Sequence, residues 1–128
     1  MKILRDISDQ KKLKGNEDIV FVHPDTKVKE ILKIISDKGY STLPVMQDRK
    51  SLGCIRENRL MSRLIEQPNL INAVAEDVWE ECMPTLDAKT EISVVKNYLK
   101  DNNSILVSDF GRITDIITRY DLIQFEDE

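Results

Sequence analysis

The sequence is poor in the residues that most often carry chemistry. It has one histidine, His23, two cysteines, Cys54 and Cys82, and one tryptophan, Trp79. A lone His before a Pro turn and two Cys in separate segments make a metal site improbable, so none is expected. No Ser–His or Cys–His arrangement with supporting signals is present, so no catalytic residue is assigned and an enzyme is not expected. The cysteines, distant from one another in sequence, supply no disulfide framework and fit a reducing cytoplasm. No apolar run is long enough to span a bilayer. The opening Met1-Lys2-Ile3-Leu4-Arg5-Asp6 has no apolar core of a signal peptide. Lys and Arg number 19 against 23 Asp and Glu, scattered with no basic block, for a net charge of −4. That balance argues against nucleic acid or an anionic membrane as the main partner.

What is present is globular: 41% hydrophobic and 33% charged residues over 128 positions, one ordinary domain or two small halves sharing a core. Ile3, Leu4 and Ile7 suggest a brief first helix, followed by a polar loop closing on Gly15-Asn16. Ile19-Val20-Phe21-Val22 reads as a short strand ended by His23-Pro24-Asp25. Val28, Ile31, Leu32 and Ile35 then share one helical face; Asp25 or Thr26 can cap that helix and Gly39 ends it. Thr42 to Met46 is a strand, Gln47 to Lys50 a hairpin turn and Leu52 to Ile55 the returning strand, before a helix carrying Leu60, Met61, Leu64 and Ile65. Pro44 implies that one side of its strand is incompletely paired. Leu70 to Glu81 reads as a helical connector, with Trp79 either in a core or on an oligomer surface. The cycle then repeats: a strand from Met83 to Leu86, a helix through Ile92, Val95 and Leu99, a strand at Ile105 to Val107, a turn at Ser108 to Gly111, and a strand from Ile113 to Ile117. Asp109-Phe110-Gly111 matches a kinase triplet in letters only and is a turn.

A shift of 62 residues carries Val45 onto Val107, Ile55 onto Ile117, Arg56 onto Thr118 and Arg59 onto Asp121. The chain is therefore an internal repeat, each half strand–helix–strand–strand–helix, and neither half buries a good core alone. The expected fold is α/β, with two βαββα repeats packed about a pseudo-twofold axis. The expected division is residues 1–18 as an N-terminal helix and loop, 19–66 as the first repeat, 67–82 as a linker helix and 83–128 as the second repeat.

The stretch richest in chemistry is Ile113 to Ile123, where a strand runs into a helix at Thr118 with Asp121 three residues on. Thr118 can cap the helix and Asp121 can reach back to the Thr118 N–H. The same junction points N–H donors and the positive helix end outward, which with a hydroxyl and a carboxylate suits a ribose diol and a polar or anionic tail. On those residues alone a plain capping box is the commoner outcome.

The order of elements, with Gly39-Tyr40-Ser41-Thr42-Leu43-Pro44-Val45 in the first half and Ile116-Ile117-Thr118-Arg119-Tyr120-Asp121-Leu122 in the second, resembles the tandem CBS-domain pair, or Bateman module, over 19–125. Within that superfamily it most resembles the C-terminal regulatory segment of cystathionine β-synthase. The resemblance implies a regulatory sensor rather than a catalyst, binding an adenosyl compound in the cleft between repeats. S-adenosylmethionine is favoured, with AMP, ADP or ATP next. It also implies a homodimer, cytoplasmic, acting on a catalytic domain or protein that it regulates. By position, Asp121 takes the ribose hydroxyls and Thr118 the phosphate or methionyl end; Val22, Tyr40, Ser41 and Leu43 line the cleft, and Ile116 and Tyr120 enclose the adenine. Two positions depart from the pattern. Asp115 stands where the motif usually begins with Gly, adding negative charge near the cleft. Arg56 and Arg59 replace Thr and Asp in the first half, leaving at most a secondary anion site. The alternatives are a regulatory fragment of a pyridoxal-phosphate-dependent cystathionine β-synthase, and a dimerisation scaffold with a vestigial site. Met1 followed directly by a helix favours a free-standing protein over the fragment.

Overall fold

The computed structural model describes residues 1–15 and 18–127, so the expected loop closure at Gly15-Asn16 lies partly outside the described residues. The chain forms two units, one of 20–82 and the other of 1–19 with 83–128.

In the unit of 20–82, α2 (Val28–Lys38) is followed by β1 (Thr42–Gln47), β2 (Lys50–Arg56) and α3 (Glu57–Glu66). The apolar stripe of α2 puts Val28, Ile31 and Ile35 into a core with Val22, Leu43, Val45, Ile55, Leu60, Ala75 and Val78. Gly39 ends α2 in the left-handed conformation at φ 71°, which costs glycine little. The other end differs from expectation. Neither Asp25 nor Thr26 caps α2; Lys27 is the N-cap, and the Thr26 hydroxyl instead accepts the His23 N–H at 2.9 Å.

The expected strand over Ile19–Val22 contracts to one bridge. The Val22 N–H donates to Pro44 O at 3.0 Å and Val22 O accepts the Met46 N–H at 2.9 Å. Since Pro44 has no N–H, that outer edge cannot extend into a longer ladder. The expected helix over Leu70–Glu81 is also absent. Two 3₁₀ turns, Pro68–Asn72 and Ala75–Asp77, stand there instead, and Val74 and Ala73 between them are extended. Glu80 then pairs antiparallel with Cys54, each donating to the other at 2.9 Å. Trp79 lies against Gly53, where an added Cβ would stand 3.1 Å from both the indole Cγ and Glu80 O. This pairing corrects the view of the cysteines as unconnected: Cys54 and Cys82 are disulfide-bonded with Cα atoms 4.8 Å apart. Their distance in sequence concealed that the connector returns along β2.

In the other unit, α1 (Leu4–Leu13) packs with β3 (Thr85–Asp87), α4 (Ile92–Asp101), β4 (Ser104–Asp109), β5 (Arg112–Thr118) and α5 (Arg119–Glu126). The sheet order is β3–β4–β5, with β3 parallel and β5 antiparallel to β4. The leading strand thus starts two residues later than Met83, because Pro84 precedes it and only its carbonyl joins the ladder, accepting the Leu106 N–H at 2.8 Å. Leu4, Ile7, Val95, Leu99, Ile105, Val107, Ile117 and Leu122 are among the core residues.

The repeat holds to the level of register. Thr42 pairs with Arg56 and Leu43 with Ile55; Ser104 pairs with Thr118 and Ile105 with Ile117. Both hairpins shift register at corresponding places, Val45/Met46 and Val107/Ser108. Both turns use two positive-φ residues, Asp48 and Arg49 in one, Phe110 and Gly111 in the other, which suits the twist of a two-residue hairpin.

A further correspondence runs through the segment that precedes each repeat. The Leu4 N–H donates to Thr90 O and the Arg5 N–H to Ala88 O; the Ala75 N–H donates to Thr26 O and the Glu76 N–H to Pro24 O. Asp6 accepts the Ile3 N–H as Asp77 accepts the Val74 N–H. Each unit is therefore completed by the segment lying before the other repeat. The shared pattern, Ile3-Leu4-Arg5-Asp6-Ile7 and Val74-Ala75-Glu76-Asp77-Val78, is apolar at its first, second and fifth positions with Asp at the fourth.

Candidate functional site at the β5–α5 junction

β5 alternates, turning Ile113, Asp115 and Ile117 inward. Thr118, extended at φ −101° and ψ 169°, then changes the chain from strand to helix. Its hydroxyl accepts the Asp121 N–H at 3.2 Å, and Asp121 Oδ2 accepts the Thr118 N–H at 2.9 Å. This reciprocal cap satisfies two backbone donors and fixes the Asp121 side chain at the positive end of α5. Among the described residues Asp121 Oδ1 has no partner, and the side chain keeps 17% of its exposure. The junction therefore presents a held carboxylate with one oxygen that accepts no hydrogen bond among the described residues and is not fully buried, able to accept from a diol.

The electrostatics differ from expectation. Asp115 does not present its charge to solvent. It is 7% exposed, accepts the Ser8 hydroxyl at 2.6 Å and lies 3.3 Å from Lys11 Nζ. An inward strand position forced a carboxylate into the interior, and α1 supplies the donors that such a group requires. Lys11 Nζ also lies 3.2 Å from Asp121 Oδ2 and donates to Ile116 O at 2.7 Å. Arg119 turns away to the end of α4, donating to Leu99 O at 2.6 Å and Lys100 O at 3.0 Å, where a cation complements the helix dipole. Tyr120 is exposed and Ile116 half-buried.

In the unit of 20–82 the corresponding junction is β2–α3. Arg56 donates to Glu80 Oε1 at 2.8 Å and to Glu81 O at 3.0 Å, and Arg59 lies 3.6 Å from the same Glu80 oxygen. The pair offered as at most a secondary anion site shares one carboxylate, because the connector returns past it. Val22 and Leu43, expected to line a ligand, are buried at 3% and 1% in this unit's core. Tyr40 and Ser41 line a surface cavity of about 400 Å³ with Leu32, Ile35, Glu57 and Met61.

Sequence reasoning missed Ser8, Lys11 and Glu80. The available signal was Asp115 itself, an acidic residue on the apolar face of a strand. Ser8 and Lys11, three apart on a helix, share a face able to satisfy it.

Residues 11–66 match the family model of the CBS domain. Similar solved structures include a CBS domain-containing protein of unknown function from Bacillus anthracis str. Ames Ancestor, at 18% identity and a TM-score of 0.82 over 99% of this chain and 94% of that one. CBSX2, a CBS-pair protein of Arabidopsis thaliana, in complex with AMP shares 18% identity at a TM-score of 0.73, over 97% of this chain and 95% of that one. CbpB in complex with c-di-AMP shares 14% identity at 0.72, over 86% and 77%. The chain thus has the fold of a CBS-domain pair, and its first half also matches the CBS family model. The likeness to the cystathionine β-synthase segment in particular remains an expectation of the sequence.

Proposed function

We propose that the chain is a regulatory, non-catalytic sensor of an adenosyl compound whose ribose is anchored by Asp121. The single observation that carries this is the Asp121 carboxylate, held at Oδ2 by the Thr118 N–H and open at Oδ1. Thr118, Ile116 and Tyr120 would contribute from the same unit. That CBSX2 is described with AMP and CbpB with c-di-AMP supports an adenine nucleotide. A triphosphate would need several uncommitted cations, whereas Arg56 and Arg59 face Glu80 and Arg119 bonds to carbonyls. AMP therefore stands ahead of ATP. S-adenosylmethionine, the ligand the resemblance to cystathionine β-synthase favoured, becomes the other arm of the test, and with it the reading of the chain as a fragment of that enzyme.

Calorimetric titration of AMP, ATP, c-di-AMP and S-adenosylmethionine, into the chain and into Asp121→Ala, tests the proposal. Losing a hydrogen bond to a charged group costs about 1.5–3 kcal/mol, roughly 10- to 150-fold in affinity. Binding that falls by that factor supports the sensor. Silence from all four supports the dimerisation scaffold, which one observation favours: the charged groups of both junctions already have opposite charges within their own unit.

A further inference from the structure

Around the Lys11 ammonium, with its three N–H groups, lie among others Ile116 O at 2.7 Å, Asp121 Oδ2 at 3.2 Å and Asp115 Oδ1 at 3.3 Å. Ser8, one turn earlier on the same face of α1, donates to the other oxygen of Asp115 at 2.6 Å. Leu4 and Ile7, on the core side of the helix, are buried at 0% and 1%. The N-terminal helix is thus seated on the β5–α5 junction by two side chains, one of which touches the candidate ribose anchor itself. With the Thr118 N–H and Lys11 both at Oδ2, the carboxylate is held at that oxygen, and Oδ1 is the oxygen left without a partner among the described residues.

We propose that Lys11 is a positioning residue for the Asp121 site and that it couples the docking of α1 to ligand occupancy. The proposal rests on Asp121 being the ribose anchor. Lys11 does not fill the open acceptor; it holds the carboxylate in the orientation that presents it. Linkage then requires reciprocity: if docked α1 raises ligand affinity by some factor, bound ligand strengthens α1 docking by the same factor. The helix is accordingly the element through which occupancy of this unit is passed on to whatever contacts α1.

The test uses the full chain, with AMP and 2′,3′-dideoxyadenosine monophosphate as probes. Lys11→Met is expected to weaken AMP binding about tenfold, the order of one charge-assisted hydrogen bond. It should change binding of the dideoxy analogue, which has no diol to offer Asp121, less than about twofold on the same basis. AMP should also slow amide exchange along α1 in the parent chain and not in the variant. Equal loss for both ligands would mean that Lys11 serves the fold alone and would overturn the proposal. Tighter AMP binding by Lys11→Met would make Lys11 a competitor and overturn it too. AMP binding that collapses in Asp121→Ala but is untouched in Lys11→Met would leave the ribose anchor standing and remove this inference only. No AMP binding by the parent chain would remove both. Lys11→Gln, which is also neutral but keeps two N–H donors, replaces Met where the loss of the hydrogen bonds unfolds the chain.

Discussion

Asp121 and Lys11 together define what the junction can do. A carboxylate at the third helical position is ordinarily consumed by its own cap, and here one oxygen is so consumed while the other is not. The Thr118–Asp121 cap was legible in the sequence because capping chemistry depends only on local spacing. Lys11 was not, because it comes from 104 to 110 residues away, and no periodicity reports such a contact. At the same scale, Gly53 admits the Trp79 indole. A methyl group there meets the ring and a backbone carbonyl at 3.1 Å, so Gly53→Ala should destabilise by about 1–3 kcal/mol in urea unfolding. An unchanged midpoint would mean that the indole moves aside.

Among the elements, α1 belongs to the core of the unit it joins, so Leu4→Ala should cost about 2–5 kcal/mol, as for other buried leucines. A loss well under 1 kcal/mol in chemical unfolding would show α1 to be peripheral. A second tie is the fork of Arg5 on Asp109, Nη2 to Oδ1 at 2.8 Å and Nε to Oδ2 at 3.1 Å. The Arg5 hydrogen bond holds the Asp109 carboxyl below its ordinary range. A lowered folded-state pKa contributes stability above the ordinary carboxylate value, and that contribution is lost as pH falls through the lowered one. The difference in melting temperature between the parent and Asp109→Asn should therefore stay constant from neutral pH down to about 5 and shrink below about 4. A difference that grew on acidification would contradict the assignment. The helices α2, α4 and α5 and both hairpins were readable because apolar spacing and turn residues agree there. The connector was not: Leu70 to Glu81 has helix-like apolar spacing, but beyond two short 3₁₀ turns its backbone bonds go to Thr26, Pro24 and Cys54. The cysteine pair was hidden for the same reason.

For the whole molecule, apolar side chains remain exposed on α3 (Ile65, 81%), α4 (Tyr98, 40%) and α5 (Ile123, 65%). The resemblance to the CBS-domain pair implies a homodimer, and we propose one for this chain. Sedimentation velocity should give about twice the 14.8 kDa chain mass; a monomer at tens of micromolar would contradict it. No helix among the described residues is long and apolar enough to cross a membrane. The central claim is that an adenosyl ligand engages Asp121, and an amide NMR titration with AMP tests it most directly. The account predicts saturable shifts at Thr118 to Asp121, abolished by Asp121→Ala. No shift at Thr118 to Asp121 on adding AMP, or shifts that persist in Asp121→Ala, would contradict it.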